Sequence, residues 1–232
     1  MAEKNEKGKI VIISGFSGVG KGTIIQKMTK LFDDYALSVS WTTRKPRNNE
    51  IHGVNYYFVT KEKFRDAIGR NGFLEYADYN GKYYGTPRAF VEDNLEKGVN
   101  VILEIEVQGA DQIRRMFPDT ISVFLVPPKA VDLLTRLKDR GSESREEIRN
   151  RLKLAIKETE KIQHYDYMLV NDDLDTCIED LNRIVTEGSD NFKYDPAYKE
   201  RIVRELQELL AMIDEQDQEN QNQEKQDQEN QD

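Results

Sequence analysis

Cysteine is nearly absent from this 232-residue chain: Cys177 stands alone, so no internal disulfide and no cysteine-based metal cluster can form. Its expected role is that of a small buried filler on a late core helix. Histidine is almost as scarce. His52 and His164 have no partner at ligand spacing, which removes zinc hydrolysis and Ser/His/Asp chemistry from consideration. Long apolar runs are missing too. The longest, such as residues 10–13 and 121–126, have the length of strands and fall far short of a bilayer. The first seven residues are charged and lead into no apolar segment, so no signal peptide is expected and the chain is placed in the cytoplasm. A broad basic face is also lacking. The net charge is −9, and from Ser189 onward there are 5 basic and 13 acidic residues, leaving 29 basic against 30 acidic before it. A nearly neutral body with a few arginine clusters suits small phosphorylated molecules rather than nucleic acid.

What is present begins with Val11-Ile12-Ile13-Ser14-Gly15-Phe16-Ser17-Gly18-Val19-Gly20-Lys21-Gly22-Thr23, an apolar strand entering a glycine-rich turn and then a helix. Gly15, Gly20 and Lys21 carry the G-x-x-x-x-G-K spacing of a P-loop. Glycines allow successive backbone N–H groups to turn inward on polyphosphate, the following helix aims its positive end at the same anion, and Lys21 adds a mobile charge. Residues 15–23 are therefore the expected ATP site, with Mg2+ as its companion. Gly22 stands where most P-loops place the Ser or Thr that ligates magnesium, a spelling that resembles adenylate kinases, and Thr23 follows it.

The remaining pattern predicts a single α/β domain built on a parallel sheet. Continuous apolar runs at 99–106, 120–126 and 167–171 read as strands covered on both faces. Residues 40–98 are polar and rich in Tyr, Gly, Arg and Asn, with short strand signals at 56–60, 73–79 and 82–84. This stretch is too long for a simple crossover and reads as an inserted lobe. Thr86-Pro87 predicts the start of a helix reaching about Lys97. Residues 138–151 read as a short polar lid between helices, with Ser144-Arg145-Glu146-Glu147 as a capping box and Arg149 as surface. Residues 189–213 form an amphipathic helix whose stripe from Tyr198 to Ile213 needs either the body or a second copy of the chain to cover it. Residues 214–232 hold only Asp, Glu, Gln, Asn and Lys and are expected to be disordered.

Thr42-Thr43-Arg44-Lys45-Pro46-Arg47 presents two arginines on a stiff link, a second phosphate site. Together with Ser38-Val39-Ser40, Gly53 to Tyr56, Glu75, Tyr83-Tyr84-Gly85-Thr86, Gln108-Gly109 and Val170-Asn171-Asp172-Asp173, and with the P-loop, this strongly resembles guanylate kinase over about residues 9–188. The resemblance implies core segments 9–39, 99–137 and 152–188, the lobe 40–98 and the lid 138–151, preceded by an extension, 1–8. It also implies transfer of the γ-phosphoryl group of ATP to GMP or dGMP. Position by position, it assigns Ser40, Arg44, Arg47, Tyr56 and Tyr84 to the GMP phosphate. Glu75 and Thr86 take the guanine, and Glu104 and Glu106 the acceptor or magnesium waters. Asn171 joins the ATP site, and Arg136, Arg140 and Arg151 close on the transferring group. A carboxylate suits the guanine role because it accepts from both the ring N–H and the exocyclic amine. Relatives more often carry Pro at Phe16 and Asp at Glu106. Two alternatives remain: a non-catalytic guanylate-kinase-like binding module, and a related kinase with another phosphorylated acceptor.

Overall fold

A computed structural model of the chain describes residues 7–47, 50–79, 81–105, 107–139 and 145–229. The chain opens with β1 (Ile10–Gly15), turns through the glycine-rich loop into α1 (Lys21–Leu31), and continues to β2 (Tyr35–Leu37). It then departs into the inserted lobe: β3 (Trp41–Thr42), β4 (Tyr57–Phe58), α2 (Lys61–Gly69), β5 (Phe73–Tyr79) and β6 (Lys82–Pro87). It returns through α3 (Arg88–Glu96) to β7 (Asn100–Glu104), α4 (Val107–Met116), β8 (Ile121–Val126), α5 (Ala130–Asp139), α6 (Arg145–Thr159), β9 (Tyr167–Val170), α7 (Leu174–Thr186) and α8 (Pro196–Glu229).

The core sheet has the order β2-β7-β1-β8-β9, and all its pairings are parallel. Ile10, Val11, Ile12 and Ile13 are all buried, which an alternating half-exposed strand would not allow; helices cover both faces. From one side α1 contributes Ile24, Ile25 and Met28, and α7 contributes Cys177, Ile178, Leu181, Ile184 and Val185. Truncating Ile12 to alanine in such a core would cost about 3–4 kcal/mol. Because the strands are parallel, their carboxyl ends share one edge, where the glycine-rich loop leaves β1 and Glu104 ends β7. Ile13 lies opposite Glu104 in the ladder.

The lobe is a four-stranded sheet of order β4-β3-β6-β5. Its small core is aromatic. Phe64 of α2 is buried between Phe73 (ring centroids 4.4 Å apart) and Tyr83 (5.4 Å), both near-parallel stacks. The ladder between β5 and β6 slips at Phe73/Glu75, a bulge that leaves Phe73, Leu74 and Glu75 all buried in succession. Bulges re-aim side chains, and here the one turned inward is Glu75.

Three expectations change at this level. The helix expected to be capped by Thr86 starts at Arg88, with Pro87 itself at the cap position and no side-chain cap. The Thr86 hydroxyl is used elsewhere, on Glu75. Arg149, read as surface, pairs with Asp214 at 2.8 Å and fastens α8 to α6. And α8 runs on to Glu229, where the sequence reading has a disordered tail from 214. Glu, Gln and Lys are good helix formers, so a chain already nucleated by a packed helix can propagate through them without apolar contacts. The apolar stripe of α8 finds its cover inside the chain: Tyr198, Ile202 and Leu206 are buried against α5 and α6. The Tyr198 hydroxyl donates to the Pro127 carbonyl, Arg201 to that of Pro128 at 2.9 Å, and the Ala130 N–H at the start of α5 donates to Glu205 at 2.8 Å.

Candidate active site

The site is assembled from the carboxyl edge of the core sheet and the facing strands of the lobe. In the glycine-rich loop, Gly20 adopts φ 102°, a left-handed conformation, and a Cβ there would sit 2.8 Å from Asn171 Nδ2. Both facts require glycine at the point where the loop becomes helix. Lys21 Nζ donates to the carbonyls of Gly15 (2.8 Å) and Phe16 (3.2 Å), which holds its charge over the loop. Phe16 and Val19 are fully buried, Phe16 edge-on to Phe124 at 5.4 Å, so these two loop residues can offer only backbone to a nucleotide. Gly22 has open space around it: a Cβ would meet nothing within 4 Å.

Three side chains from later in the chain converge on this loop. Arg136 of α5 donates to Val19 O (2.8 Å) and Asn171 O (3.1 Å), while the buried Asn171 amide donates to Val19 O at 2.7 Å. Arg151 of α6 donates to the Ser17 hydroxyl. Beneath the loop, Tyr165 donates to Ser14 Oγ (2.8 Å), which in turn donates to the Ile105 carbonyl (2.9 Å). Arg136 and Arg151 thus both reach the glycine-rich loop. Arg140, Glu106 and Ser144 lie outside the described residues.

In the lobe, Arg44 faces Glu50 in a two-point ion pair (2.7 and 2.8 Å), with both side chains only 17% exposed, and its guanidinium also bonds the Lys45 carbonyl (2.8 Å). It lies over the rings of Tyr56 (5.3 Å) and Phe58 (5.7 Å). Glu50 further accepts the Arg47 N–H at 2.7 Å. The Arg44 hydrogen bonds, first of all, hold the Glu50 carboxyl well below the usual range, and Glu50 in turn raises Arg44. Two donors of Arg44 go to Glu50 and one to Lys45, and the Tyr84 side chain bonds the same guanidinium. The Nε–H and the second Nη2–H lie along the edge away from Glu50, a paired geometry that fits an oxyanion. Tyr56 and Tyr84 meet edge to face at 6.0 Å beside it. Burial first, and then the neighbouring Glu104 charge, push Tyr56 up to about 12, so its hydroxyl stays a donor at neutral pH. Arg47 is exposed and Ser40 half-buried in the same stretch.

Glu75 is 6% exposed, and its Oε1 accepts from the Thr86 hydroxyl at 2.6 Å. Burial raises its carboxyl above the ordinary range, and the hydrogen bonds from Thr86 only partly offset that. A nearly buried carboxylate held by the hydroxyl and backbone of Thr86 keeps acceptor capacity in hand. Glu104 is exposed at the strand end. Sequence reasoning missed Glu50, although a carboxylate three residues past Arg47 in a turn was a signal that it could organise both arginines.

The chain matches the model of the guanylate kinase family over residues 7–188. It is 42% identical over 205 residues to a guanylate kinase of Clostridioides difficile (strain 630), a match spanning 88% of this chain and 98% of that protein. It is 44% identical over 182 residues to one from Latilactobacillus sakei subsp. sakei (strain 23K), spanning 78% of this chain and 90% of the other. The crystal structure of guanylate kinase from Anaplasma phagocytophilum superposes with a TM-score of 0.61 at 33% identity, over 78% of this chain and 86% of that one.

Proposed function

Since the chain belongs to the guanylate kinase family and is an ATP:GMP phosphotransferase, we propose how its own residues divide that work. The backbone amides of residues 15–23 and Lys21 hold the ATP phosphates, with Asn171 buttressing the loop from behind through Val19. Arg44, with the edge of its guanidinium left over from Glu50, receives the GMP phosphate together with Arg47, Ser40 and the hydroxyls of Tyr56 and Tyr84. Glu75 accepts from the guanine N1–H and exocyclic amine while Thr86 fixes its other oxygen, and Glu104 lies at the edge between acceptor and donor. Adenine presents a lone pair where guanine presents N1–H, so a carboxylate rejects it strongly.

Arg136 and Arg151, already bonded to the loop, and Arg140 of the lid, 138–151, supply cationic charge where the transferring phosphoryl group passes. Phosphoryl transfer asks the protein mainly for alignment and charge stabilisation, and the attacking oxygen belongs to an already ionised phosphate, so no general base is needed. The donor set also suits Mg2+. Glu104, exposed at the end of β7, offers carboxylate oxygen to an ion held mostly by nucleotide phosphates and water. Thr23 and Glu104, with Glu106, are the residues that would meet its waters, and bound there it would neutralise phosphate charge. The chain works on free nucleotides in the cytoplasm and accepts dGMP as well as GMP. No helix among the described residues is long and apolar enough to cross a membrane.

The observation that carries this reading is the buried Glu75–Thr86 pair, a base reader with an acceptor to spare. Its test is ADP release from magnesium-ATP with GMP, dGMP, AMP, CMP or UMP as acceptor. Turnover restricted to the two guanine nucleotides is expected, and comparable turnover of AMP would refute the assignment.

A further inference from the structure

Gln108-Gly109 is the one stretch of the family resemblance to which the chemistry above gives no task. Gly109 lies in the first turn of α4, buried where that core helix meets the lobe. A Cβ built on it would stand 2.7 Å from Glu75 Oε2 and 3.0 Å from Glu75 Cδ, with Ile105 Cδ1 at 3.5 Å. The first distance is shorter than side-chain carbons adopt and the second is tighter than most, so Glu75 would have to shift. The backbone gives no reason for glycine here, because Gly109 is absent from the residues with positive φ and sits within a regular helix. Helix propensity argues against glycine at such a position, since alanine is the better helix former. The neighbour alone accounts for the missing side chain.

We infer that Gly109 is a positioning residue for base selection: it leaves the space in which the second oxygen of Glu75 stands. This rests on the reading of Glu75 as the guanine acceptor. The Thr86 hydroxyl ties Oε1 from one side, the bulge in β5 brings the side chain inward, and the bare Cα of Gly109 bounds Oε2 from the other. A methyl group at 109 meets the mobile end of a side chain rather than backbone. The structure therefore yields at the carboxylate: the fold persists and the reader is displaced. Thr86 cannot follow, being fixed in the β6 ladder opposite Glu75. The phosphate sites around Lys21 and Arg44 involve neither residue.

The experiment compares the full-length chain with Gly109→Ala, Glu75→Ala and the double variant, measuring steady-state kinetics with GMP and ATP varied in turn, and Tm. For Gly109→Ala the expected result is a KM for GMP raised about ten- to a hundredfold, the scale of a roughly 1 Å misplacement. The KM for ATP should stay within about twofold and Tm should be equal or higher. In the Glu75→Ala background, where the obstacle is gone, Gly109→Ala should change nothing further, the signature of a residue acting through its neighbour. Three outcomes would overturn the inference: an unchanged KM for GMP in Gly109→Ala, an equal loss in the Glu75→Ala background, or a fall in Tm with both KM values rising together. If Glu75→Ala alone leaves GMP binding intact, the base-reader assignment fails and this inference with it. A normal loss in Glu75→Ala beside a silent Gly109→Ala would overturn only the role of the glycine.

Discussion

Replacing Glu75 by glutamine should move activity and stability in opposite directions. The two side chains have the same shape, and the amide oxygen of glutamine can still accept from Thr86, as Oε1 does now at 2.6 Å. That leaves the NH₂ group where the second oxygen faces guanine, so two donors of the base meet a donor. Hydrogen bonds to a charged group contribute about 1.5–3 kcal/mol each, and losing two of them gives roughly 3–6 kcal/mol, or about 10²- to 10⁴-fold in kcat/KM for GMP. Stability follows the other sign. Burial raises the Glu75 carboxyl above its ordinary value of 4.5, so the folded state disfavours its ionised form. At neutral pH ionised Glu75 therefore opposes folding, and this penalty is relieved as pH falls through the raised value. Glutamine removes it, and Tm should hold or rise by up to a few degrees. Steady-state kinetics with GMP and AMP, beside calorimetry, check both halves. In acid the parent should lose GMP affinity at a pH above that of an ordinary glutamate, because protonation removes the acceptor, and the glutamine variant should lack that limb. Unaltered preference for GMP over AMP would refute the reasoning, as would a Tm lowered by many degrees.

Gly20→Ala puts a side chain at φ 102° and 2.8 Å from Asn171 Nδ2. It should destabilise by about 1–3 kcal/mol and raise the KM for ATP, whereas a parent-like calorimetric scan would show that the loop tolerates a Cβ there. Gly22→Ser enters open space, so the fold should be untouched and Tm slightly higher from helix propensity. Turnover at limiting magnesium should be equal or better, and an unfolded variant would contradict the space seen around that position. Leu206→Ala, on the fully buried face of α8, should cost about 2–4 kcal/mol, a drop of roughly 4–16 °C in Tm; a drop under one degree would mean that α8 does not dock on the body.

The glycine-rich turn between β1 and α1 was legible because its spelling is distinctive: few sequences other than an anion loop place Gly15, Gly20 and Lys21 between an apolar strand and a helix. The core strands were legible from their unbroken apolar runs. Helix α2 was not, since Lys61–Gly69 buries one side chain, Phe64, and one apolar anchor makes no periodic pattern. Helix α4 was hidden for a related reason, with Gly109 where a helix former would be expected. Glu50 escaped because a lone carboxylate near two arginines looks like an ordinary solvated charge until the fold turns it back on both. Thr86 misled in an instructive way: its position before a proline and a helix spells a cap, yet its hydroxyl goes to Glu75. Arg149 reads as surface in the sequence because its partner, Asp214, lies 65 residues away on a helix whose docking no local pattern reveals.

Glu75 rises from the inserted sheet, and the glycine that leaves room for it belongs to a helix of the core. The chain joins those two bodies only where it leaves β2 and where it comes back through α3. On the proposed assignment, telling guanine from adenine is therefore not the property of either body alone. The same apposition sets the distance between Arg44 and Lys21, the residues proposed to hold the two phosphates. Recognition of the base and alignment for transfer share one geometric condition, so a wrong base that loosens the first also spoils the second.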